Sequence, residues 1–204
     1  MAPSSHSGRL LSGWQVRNSS AQLSPPSEQG QPPRSSSGSQ TKRCATDFNR
    51  LVSEAVQMAA GGRGMMPVSI ESNHDETIGT MNLAKDDLTR VIINIVDNAI
   101  QAMKEKRRVR GIGYAPRLEV TTKGLGDIVE VRIRDNGVGV AASDLGRVFE
   151  PFFTTKAAYG GTGLGLSLSR DIITAVHDGE MSFDSELGEF SEVVLSLPAD
   201  ASSG

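Results

Sequence analysis

Two asparagines four residues apart, Asn94 and Asn98, are the first residues whose types and spacing can support chemistry. Within a helix this spacing places both side chains on one face. An amide oxygen is a hard donor of the kind that Mg²⁺ accepts, and an amide beside an apolar stripe is costly unless it is paired. Taken alone, however, the pair is better explained as two hydrogen-bonded asparagines at a helix surface.

A carboxylate, Asp135, ends a predicted strand and precedes Gly137 and Gly139. At a strand end it can accept a hydrogen bond from an exocyclic amine such as that of adenine. Glycines lack a side chain, so they let a planar base approach the backbone closely. The alternative is a tight turn in which aspartate and asparagine are ordinary turn residues.

A glycine-rich run, residues 160–165, leads directly into a predicted helix. Backbone N–H groups at a helix N-terminus form an anion site that suits phosphate. The run is neither a P-loop nor the dinucleotide-binding fingerprint, because it lacks the Lys-Ser/Thr and the ribose-binding acid of those motifs. A mobile glycine loop is the alternative interpretation.

The segment 151–156 lies between these two glycine-rich regions. Phe152 and Phe153 are candidates to anchor a mobile lid, which would bring Thr154, Thr155 and Lys156 near a phosphate group. A loop held by ordinary core phenylalanines explains the same residues.

Regular elements must position these residues, and hydrophobic periodicity predicts them. Asp47 is a candidate N-cap for the first helix, and Asp86 and Asp87 precede the long second one. The predicted elements are a helix over residues 47–60, a strand pair over 68–70 and 78–83, a helix over 88–103, a hairpin over 118–120 and 128–133, a helix over 165–177, and strands over 181–183 and 193–197.

Composition excludes several classes of protein. The chain has 204 residues, a formal net charge of -3 and 4% aromatic residues, so its core must be aliphatic. One cysteine excludes a disulfide framework, and three scattered histidines argue against a multi-histidine zinc site. No apolar stretch reaches the roughly 18 residues of a membrane span. The near-neutral charge gives no case for nucleic-acid binding.

The N-terminal residues 1–43 differ from the rest of the chain. They hold five basic residues, one acidic residue and five of the nine prolines, and they are rich in serine. Such a segment cannot bury enough apolar surface to offset ordering entropy, so we predict a disordered basic tail. An organelle transit peptide is the competing interpretation. Residues 44–204 are predicted to form one acidic domain.

Four motifs in order resemble the N, G1, F and G2 boxes of sensor histidine kinases. They read NIVDNA at 94–99, DNGVG at 135–139, FEPFF at 149–153 and GTGLGL at 161–166. These boxes mark the ATP-binding catalytic domain of two-component systems, in the wider group of gyrase, Hsp90 and MutL. The resemblance covers roughly residues 48–198, and FFTTK with the later HDG looks most like the nitrogen-regulatory sensor type.

The resemblance implies an α/β two-layer sandwich, the Bergerat-type ATP-binding fold, with a mixed sheet covered on one face by helices. It implies ATP and Mg²⁺ as cofactors, Asn98 as the metal ligand, Asn94 as its support, Asp135 on the adenine amine and residues 151–162 as the ATP lid. The ATP-binding residues implied in full are Asn94, Asn98, Gln101, Asp135, Gly137, Gly139, Thr154, Thr155, Lys156, Gly161, Thr162, Gly163, Leu164, Gly165 and Leu166.

Departures from the family pattern narrow the function. Hydrolytic relatives place a glutamate base four residues before the metal-binding asparagine, where this chain has Asn94, and a neutral amide cannot act as that base. A basic residue often stands where Gln101 is found. None of His6, His74 and His177 fits a phosphoacceptor.

The resemblance therefore implies a cytoplasmic kinase domain that transfers the γ-phosphoryl group of ATP to a histidine outside this chain. Its expected partners are a histidine-bearing dimerisation domain and a response regulator. The alternative is a nucleotide-binding regulatory module, from a truncated or degenerate kinase, without transferase activity.

Overall fold

The computed structural model describes residues 42–61, 66–154 and 161–199. Two short 3₁₀ helices, Gly111–Gly113 and Ala142–Arg147, lie between the regular elements. In chain order those elements are β1 Cys44–Asp47, α1 Phe48–Ala60, β2 Ser69–Asn73, β3 Thr80–Leu83, α2 Lys85–Arg110, β4 Arg117–Gly124, β5 Ile128–Asp135, α3 Gly165–His177, β6 Glu180–Glu186 and β7 Phe190–Pro198.

A five-stranded mixed sheet forms one layer, in the order β2-β4-β5-β7-β6. The β2–β4 pair is parallel, and the other pairs are antiparallel. Alternate residues of β4, β5 and β7 are buried, so each of these strands turns one face toward the core. The three helices supply the other side of that core. The predicted two-layer α/β sandwich is confirmed.

The strand pair predicted over 68–70 and 78–83 is wrong. β2 instead pairs in parallel with β4, and β3 pairs antiparallel with β1, with Cys44 opposite Leu83. β1 was not predicted at all, because its four residues carry no alternating apolar pattern. Both strands exist near their predicted positions, but local periodicity indicates which face of a strand is buried and not which strand lies beside it.

Helix α1 forms as its sequence predicts. The Asp47 carboxylate accepts a hydrogen bond from the Arg50 amide at 3.0 Å, which caps the N-terminus. The helix ends at Ala60, and the Gly61 amide donates to the Gln57 carbonyl. The apolar stripe of α1 packs against α2 in the core.

Helix α2 is the longest element of the fold. It begins at Lys85, so Asp86 and Asp87, which were expected to precede the helix, lie in its first turn and complement the helix dipole. Its buried residues run from Leu88 to Met103. At 1.5 Å per residue, the last seven residues extend about 10 Å past Met103 without a buried side chain.

The domain boundary at residue 44 stays a prediction, since residues 1–41 lie outside the described part of the chain. Arg43 is described, and it contacts the C-terminus of α3. Its guanidinium donates to the Val176 carbonyl and to the Asp178 carboxylate. Within the described ranges, no helix has the length and apolarity that a bilayer span requires.

His177 closes α3 beneath this contact and is 3% exposed. Neither ring nitrogen makes a hydrogen bond to the described residues. Burial lowers the pKa of His177, and the Arg43 charge lowers it further, although nearby Asp87 and the carbonyls of Ile172 and Ala84 act in the opposite direction. The imidazole is therefore held neutral in the folded protein.

We predict that the folded state weakens in acid because of this histidine. Its folded pKa lies below the ordinary 6.5, so the unfolded chain binds the proton first as pH falls. The contribution of His177 to the free energy of unfolding should be fully present above pH 6.5. Below that pH it should fall by about 1.4 kcal/mol per pH unit until the pH reaches the folded pKa. Urea unfolding at a series of pH values measures this slope.

The matched variant is His177→Phe, which keeps an aromatic ring at this position and removes the group that titrates. It should reduce the acid slope by about one proton while its stability at pH 8 stays within ~1.5 kcal/mol of the wild type. His74, whose pKa is also lowered by burial, remains to give the residual slope. Equal slopes in the two proteins would contradict the assignment.

Candidate nucleotide-binding site

A cavity of about 300 Å³ opens between α2, the ends of β5 and β7, and the glycine-rich segment before α3. Most of the predicted site residues line it together, although they come from four separate stretches of sequence. Those residues are Asn94, Asn98, Gln101, Asp135, Gly139, Thr154, Gly161, Thr162, Gly163, Gly165 and Leu166.

Four predicted residues are not among those that line the cavity. Gly137 and Leu164 are adjacent in sequence to residues that line the cavity, but they do not line it themselves. Thr155 and Lys156 lie outside the described residues, as do positions 157–160 of the predicted lid. The remaining lining residues were not predicted to bind the nucleotide, although Phe153 was a candidate lid anchor. All but Asp97 and Ser191 are apolar; they are Ile95, Asp97, Ala99, Ala102, Ile133, Val138, Val140, Val148, Phe153, Phe183, Ser191 and Val193.

The helix wall of the cavity carries both predicted asparagines. Asn94 and Asn98 are half-buried, and the Asn94 Nδ2 donates to the Ser169 hydroxyl of α3 at 3.0 Å. The backbone of α3 comes so close here that a Cβ added at Gly165 would lie 2.5 Å from the Asn94 Oδ1. The start of α3 is thus packed directly on the asparagine face of α2.

Asp97 adds a carboxylate to the same helix wall. It lies one turn after Asn94 and lines the cavity beside Asn98. Burial raises the pKa of Asp97, and the charge of Lys104 partly opposes this change. The spacing of three residues from Asn94 was the signal in the sequence that could have identified it.

Asp135 lies at the end of the cavity near Ala102 of α2, whereas the start of α3 lies near Asn94 of the same helix. Asp135 is 6% exposed, and its Oδ1 accepts a hydrogen bond from the Gly137 amide at 2.7 Å. A Cβ at Gly137 would lie 2.7 Å from the Cβ of Ala102, so the turn rests against α2. Gly137 therefore contributes by fixing the turn that carries Asp135, and not as part of the wall.

Hydrogen bonds of Asn136 fix the turn that carries Asp135. The Asn136 Oδ1 accepts from the Tyr114 hydroxyl at 2.7 Å and from the Arg117 amide at 2.9 Å, and its Nδ2 donates to the Ala115 carbonyl. Its backbone carbonyl accepts from the Lys106 ammonium at 2.8 Å. Burial, with a smaller contribution from the Asp135 charge, raises the pKa of Tyr114 to about 12, so the phenol remains a donor at neutral pH.

Two serines lie where β7 passes Asp135. Ser191 is the strand partner of Asp135 and lines the cavity. Its hydroxyl lies 3.2 Å from that of Ser185, which donates to the Phe190 carbonyl and accepts from the Val140 amide. Hydroxyls in apolar strand ends give no local sequence signal, so only the sheet register brings Ser191 to this site.

The two phenylalanines of the F-like motif have different roles. Phe153 lines the cavity, and the Arg147 guanidinium lies 4.5 Å from its ring centroid. Phe152 has a φ of 67° and is 74% exposed, so the expectation that both rings anchor the lid is wrong for Phe152. The Phe152 backbone still fixes the loop, because its amide donates to the Gly163 carbonyl at 2.8 Å.

His74 is held inside the fold by its neighbours. Its Nε2 lies 3.0 Å from the Ser53 hydroxyl, and its Nδ1 lies 3.4 Å from the Thr122 hydroxyl. It occupies the connection between β2 and β3, where there is no helical hairpin. That His74 is not a phosphoacceptor stays a prediction.

The side chains available to bind a metal ion are mainly amides. The described ranges contain no group of three or more histidine, cysteine, aspartate or glutamate side chains that could hold a metal ion. The oxygen donors on the cavity's helix wall are instead those of the two asparagines, Gln101 and Asp97. A hard cation that keeps several water ligands, such as Mg²⁺, is the kind that such a donor set can hold.

Comparison with known families decides which group this site belongs to. Residues 84–201 match the model of the histidine kinase-, DNA gyrase B- and HSP90-like ATPase family. The chain belongs to this family. The match spans α2, the glycine-rich turns and α3, which are the elements that form the cavity.

Individual relatives point to the sensor kinase branch. The chain is 32% identical over 156 residues to the sensor histidine kinase ZraS of Escherichia coli K12, and 34% identical over 152 residues to AtoS of the same strain. These alignments cover 76% and 74% of this chain but only 31% and 23% of the two relatives. The chain thus spans a third or less of their length.

Solved structures share the fold. The catalytic domain of the histidine kinase ThkA aligns with a TM-score of 0.64 at 24% identity, covering 78% of this chain and 96% of that domain. Full-length ShkA in complex with AMPPNP aligns with a TM-score of 0.62 at 22% identity, covering 77% of this chain and 31% of that one. The architecture is that of a histidine kinase catalytic domain.

The close packing of Gly139 against Glu186 can be tested by substitution. Gly139 has a φ of 66°, and an added Cβ would lie 2.1 Å from the Glu186 carbonyl oxygen. We predict that Gly139→Ala destabilises the protein by ~2 kcal/mol or more beyond the cost of the left-handed backbone alone. Chemical denaturation followed by circular dichroism measures the difference.

Gly126→Ala is the matched control, because Gly126 has a φ of 73° but no atom within 4 Å of an added Cβ. That variant should lose only about 1 to 2 kcal/mol, which is the cost of placing an L-residue in the left-handed region. Equal losses in the two variants would show that the approach of Glu186 to the turn is not close.

Proposed function

We propose that this cavity binds ATP, with the adenine at Asp135 and the phosphates at the start of α3. The observation that carries the proposal is the arrangement of one cavity between a buried carboxylate at one end and a helix N-terminus with its glycine-rich loop at the other. A carboxylate selects a base that presents an amine, and unpaired helix amides favour an anion.

The walls between these ends suit a planar base. Ile95, Ala99, Ile133 and Val193 line the cavity and belong to the apolar core. Ser191 places a hydroxyl beside Asp135, where it is positioned to orient the same edge of the base. An adenine ring would therefore be stacked between apolar side chains while only its amine edge meets polar groups.

The phosphate end depends on backbone rather than on side chains. At Gly163, with a φ of 68°, an added Cβ would lie 2.4 Å from the Phe152 carbonyl carbon. The glycine-rich loop is thus packed against the backbone at the start of the proposed lid, and its amides are proposed to meet the phosphates. Thr162 lines the same end, and its hydroxyl accepts from the Leu164 amide at 3.4 Å.

Mg²⁺ fits the neighbouring helix wall. Asn98 is the proposed ligand, with Asn94 and Gln101 beside it; Asn94 is already oriented by Ser169. When bound, the cation would neutralise charge on the phosphate oxygens. Thr155 and Lys156 are proposed to complete the lid over the phosphates.

The proposed reaction is phosphoryl transfer to a histidine carried by another chain or by another part of a longer protein. The bond from the γ-phosphorus to its bridging oxygen breaks, a bond to the imidazole nitrogen forms, and ADP leaves with the electron pair. Asn94 stands where a water-activating base would be needed, so hydrolysis should be slow. Positioning of the two reactants supplies the rate enhancement.

The partners follow from this reaction. A histidine-bearing dimerisation domain would present the acceptor, and a response regulator would receive the phosphoryl group from it. We propose a cytoplasmic location for the domain, as for the kinases that it resembles. A nucleotide-binding regulatory module without transferase activity is the second candidate.

The first prediction for this site concerns Asn98→Asp. The substitution adds a negative charge beside the proposed metal and phosphates, so the affinity for Mg·ATP should change, and we expect it to weaken about tenfold or more. Isothermal titration calorimetry with a non-hydrolysable ATP analogue and Mg²⁺ measures the effect.

Gln57→Glu is the matched control, because it makes the same amide-to-carboxylate change at an exposed position on α1. Its affinity should equal that of the wild type. A parallel titration with ITP, which has a carbonyl in place of the adenine amine, should show weak binding because Asp135 would then face an acceptor. Wild-type affinity of Asn98→Asp together with equal binding of ATP and ITP would contradict the assignment.

The second prediction separates the two candidate functions. The chain is incubated with γ-labelled ATP and Mg²⁺, alone and with histidine-bearing dimerisation domains from two relatives. Acid-labile label should appear on a supplied domain and should be absent when its histidine is replaced by alanine. Nucleotide binding without transfer to either domain would favour the regulatory module.

A further inference from the structure

The last turn of α2 and the 3₁₀ helix that follows form a protruding tip, residues 107–112. The tip begins four residues after the last buried residue of α2, Met103. Two aliphatic side chains project from it: Val109 is 74% exposed, and Ile112 is 97% exposed. Val109 lies seven residues after buried Ala102, so the core-facing stripe of α2 continues onto the tip.

The tip is also basic. Arg107 and Arg110 form no ion pair with any residue in the described ranges, and Arg108 adds a third guanidinium. Residues 104–112 together hold five basic residues and one acidic residue, whereas the other residues of 44–204 hold 11 basic and 22 acidic ones. The positive charge of an otherwise acidic domain is therefore concentrated at one end of α2.

The tip is held in place rather than loosely attached. The Gly111 amide donates to the Arg107 carbonyl and closes the helix, and the Tyr114 amide donates to the Gly111 carbonyl at 3.3 Å. Tyr114 is fixed in turn by its hydroxyl on Asn136. A tip that is fixed in this way loses little conformational freedom when it binds a surface.

Stabilisation of the helix dipole explains part of the basic charge, since cations near a helix C-terminus are favourable. It does not explain two aliphatic side chains in water at the same place. Exposed aliphatic groups between cations are the combination that an anionic lipid surface accepts, because the cations meet headgroups while the apolar groups enter the interface. A phosphate backbone of nucleic acid would use the cations but not the aliphatic groups.

We propose that the α2 tip docks on an anionic phospholipid bilayer. Arg107 and Arg110 contact the headgroups, and Val109 and Ile112 insert at the interface. The acidic remainder of the domain is repelled by the same surface, so the tip is the part that approaches it. The inference does not depend on nucleotide binding, because the tip does not line the proposed ATP cavity.

The test is co-sedimentation of the full chain with vesicles of phosphatidylcholine containing about one third phosphatidylglycerol. Binding is expected at low salt, should weaken as salt screens the charges, and should be absent with pure phosphatidylcholine. Arg107→Gln combined with Arg110→Gln should weaken partitioning about 30-fold. Val109→Ser combined with Ile112→Ser should weaken it while leaving every charge in place.

Arg90→Gln combined with Arg132→Gln is the matched control, because both arginines are partly exposed and lie outside the tip. It removes the same charge and should bind as the wild type does. The basic residues of 1–43 are present in every variant, so differences between variants report the tip. Unfolding midpoints identify any variant that is not folded.

Three results would overturn the proposal. The first is binding of either tip variant that equals the control, and the second is equal binding of the wild type to phosphatidylcholine alone. The third is displacement of the chain from anionic vesicles by duplex DNA, provided that the variants also differ in DNA binding. In that case the arginine variant would lose DNA binding and the Val109/Ile112 variant would keep it. That last pattern would identify a nucleic-acid surface instead.

Discussion

The close contact between α2 and the polypeptide around it is the constraint on which the rest of the structure depends. One side of this helix fills the core with Leu88, Ile92 and Met103, and the adjacent side forms the cavity wall with Asn94 and Asn98. Because the two sides belong to one rigid element, packing of the core fixes the position of the amides. The site is thus as rigid as the core beneath it.

Glycines allow two turns to pack closely against α2 and leave a cavity between them. Where Gly137 meets Ala102 and where Gly165 meets Asn94, a single added carbon would collide with α2. The two turns can therefore lie against the same helix, with space for a ligand between them. The motif order reflects this geometry, because each glycine-rich turn follows a strand or precedes a helix that packs on α2.

The chemistry expected of this arrangement is positioning. In the proposed function, two neutral amides, a buried carboxylate and backbone N–H groups orient the nucleotide, and the neutral amide of Asn94 cannot act as the base that activates water. His74 contacts Ser53 and Thr122, and His177 is buried at the end of α3, so the proposed acceptor is a histidine other than these two. The proposed transfer therefore needs a second protein segment to present the acceptor, and the aligned part covers only 31% and 23% of ZraS and AtoS.

The sequence by itself determined the local elements and the chemistry of the motifs. The apolar stripe of α2, the hairpin of β4 and β5 and the glycine run before α3 are encoded by residues close together in the chain, which is why their positions were predicted. Only the tertiary structure decided that β1 pairs with β3, that Ser191 lies beside Asp135 and that Phe153 rather than Phe152 lines the cavity. Periodicity specifies which face of an element is buried, whereas partners and register depend on contacts between distant residues.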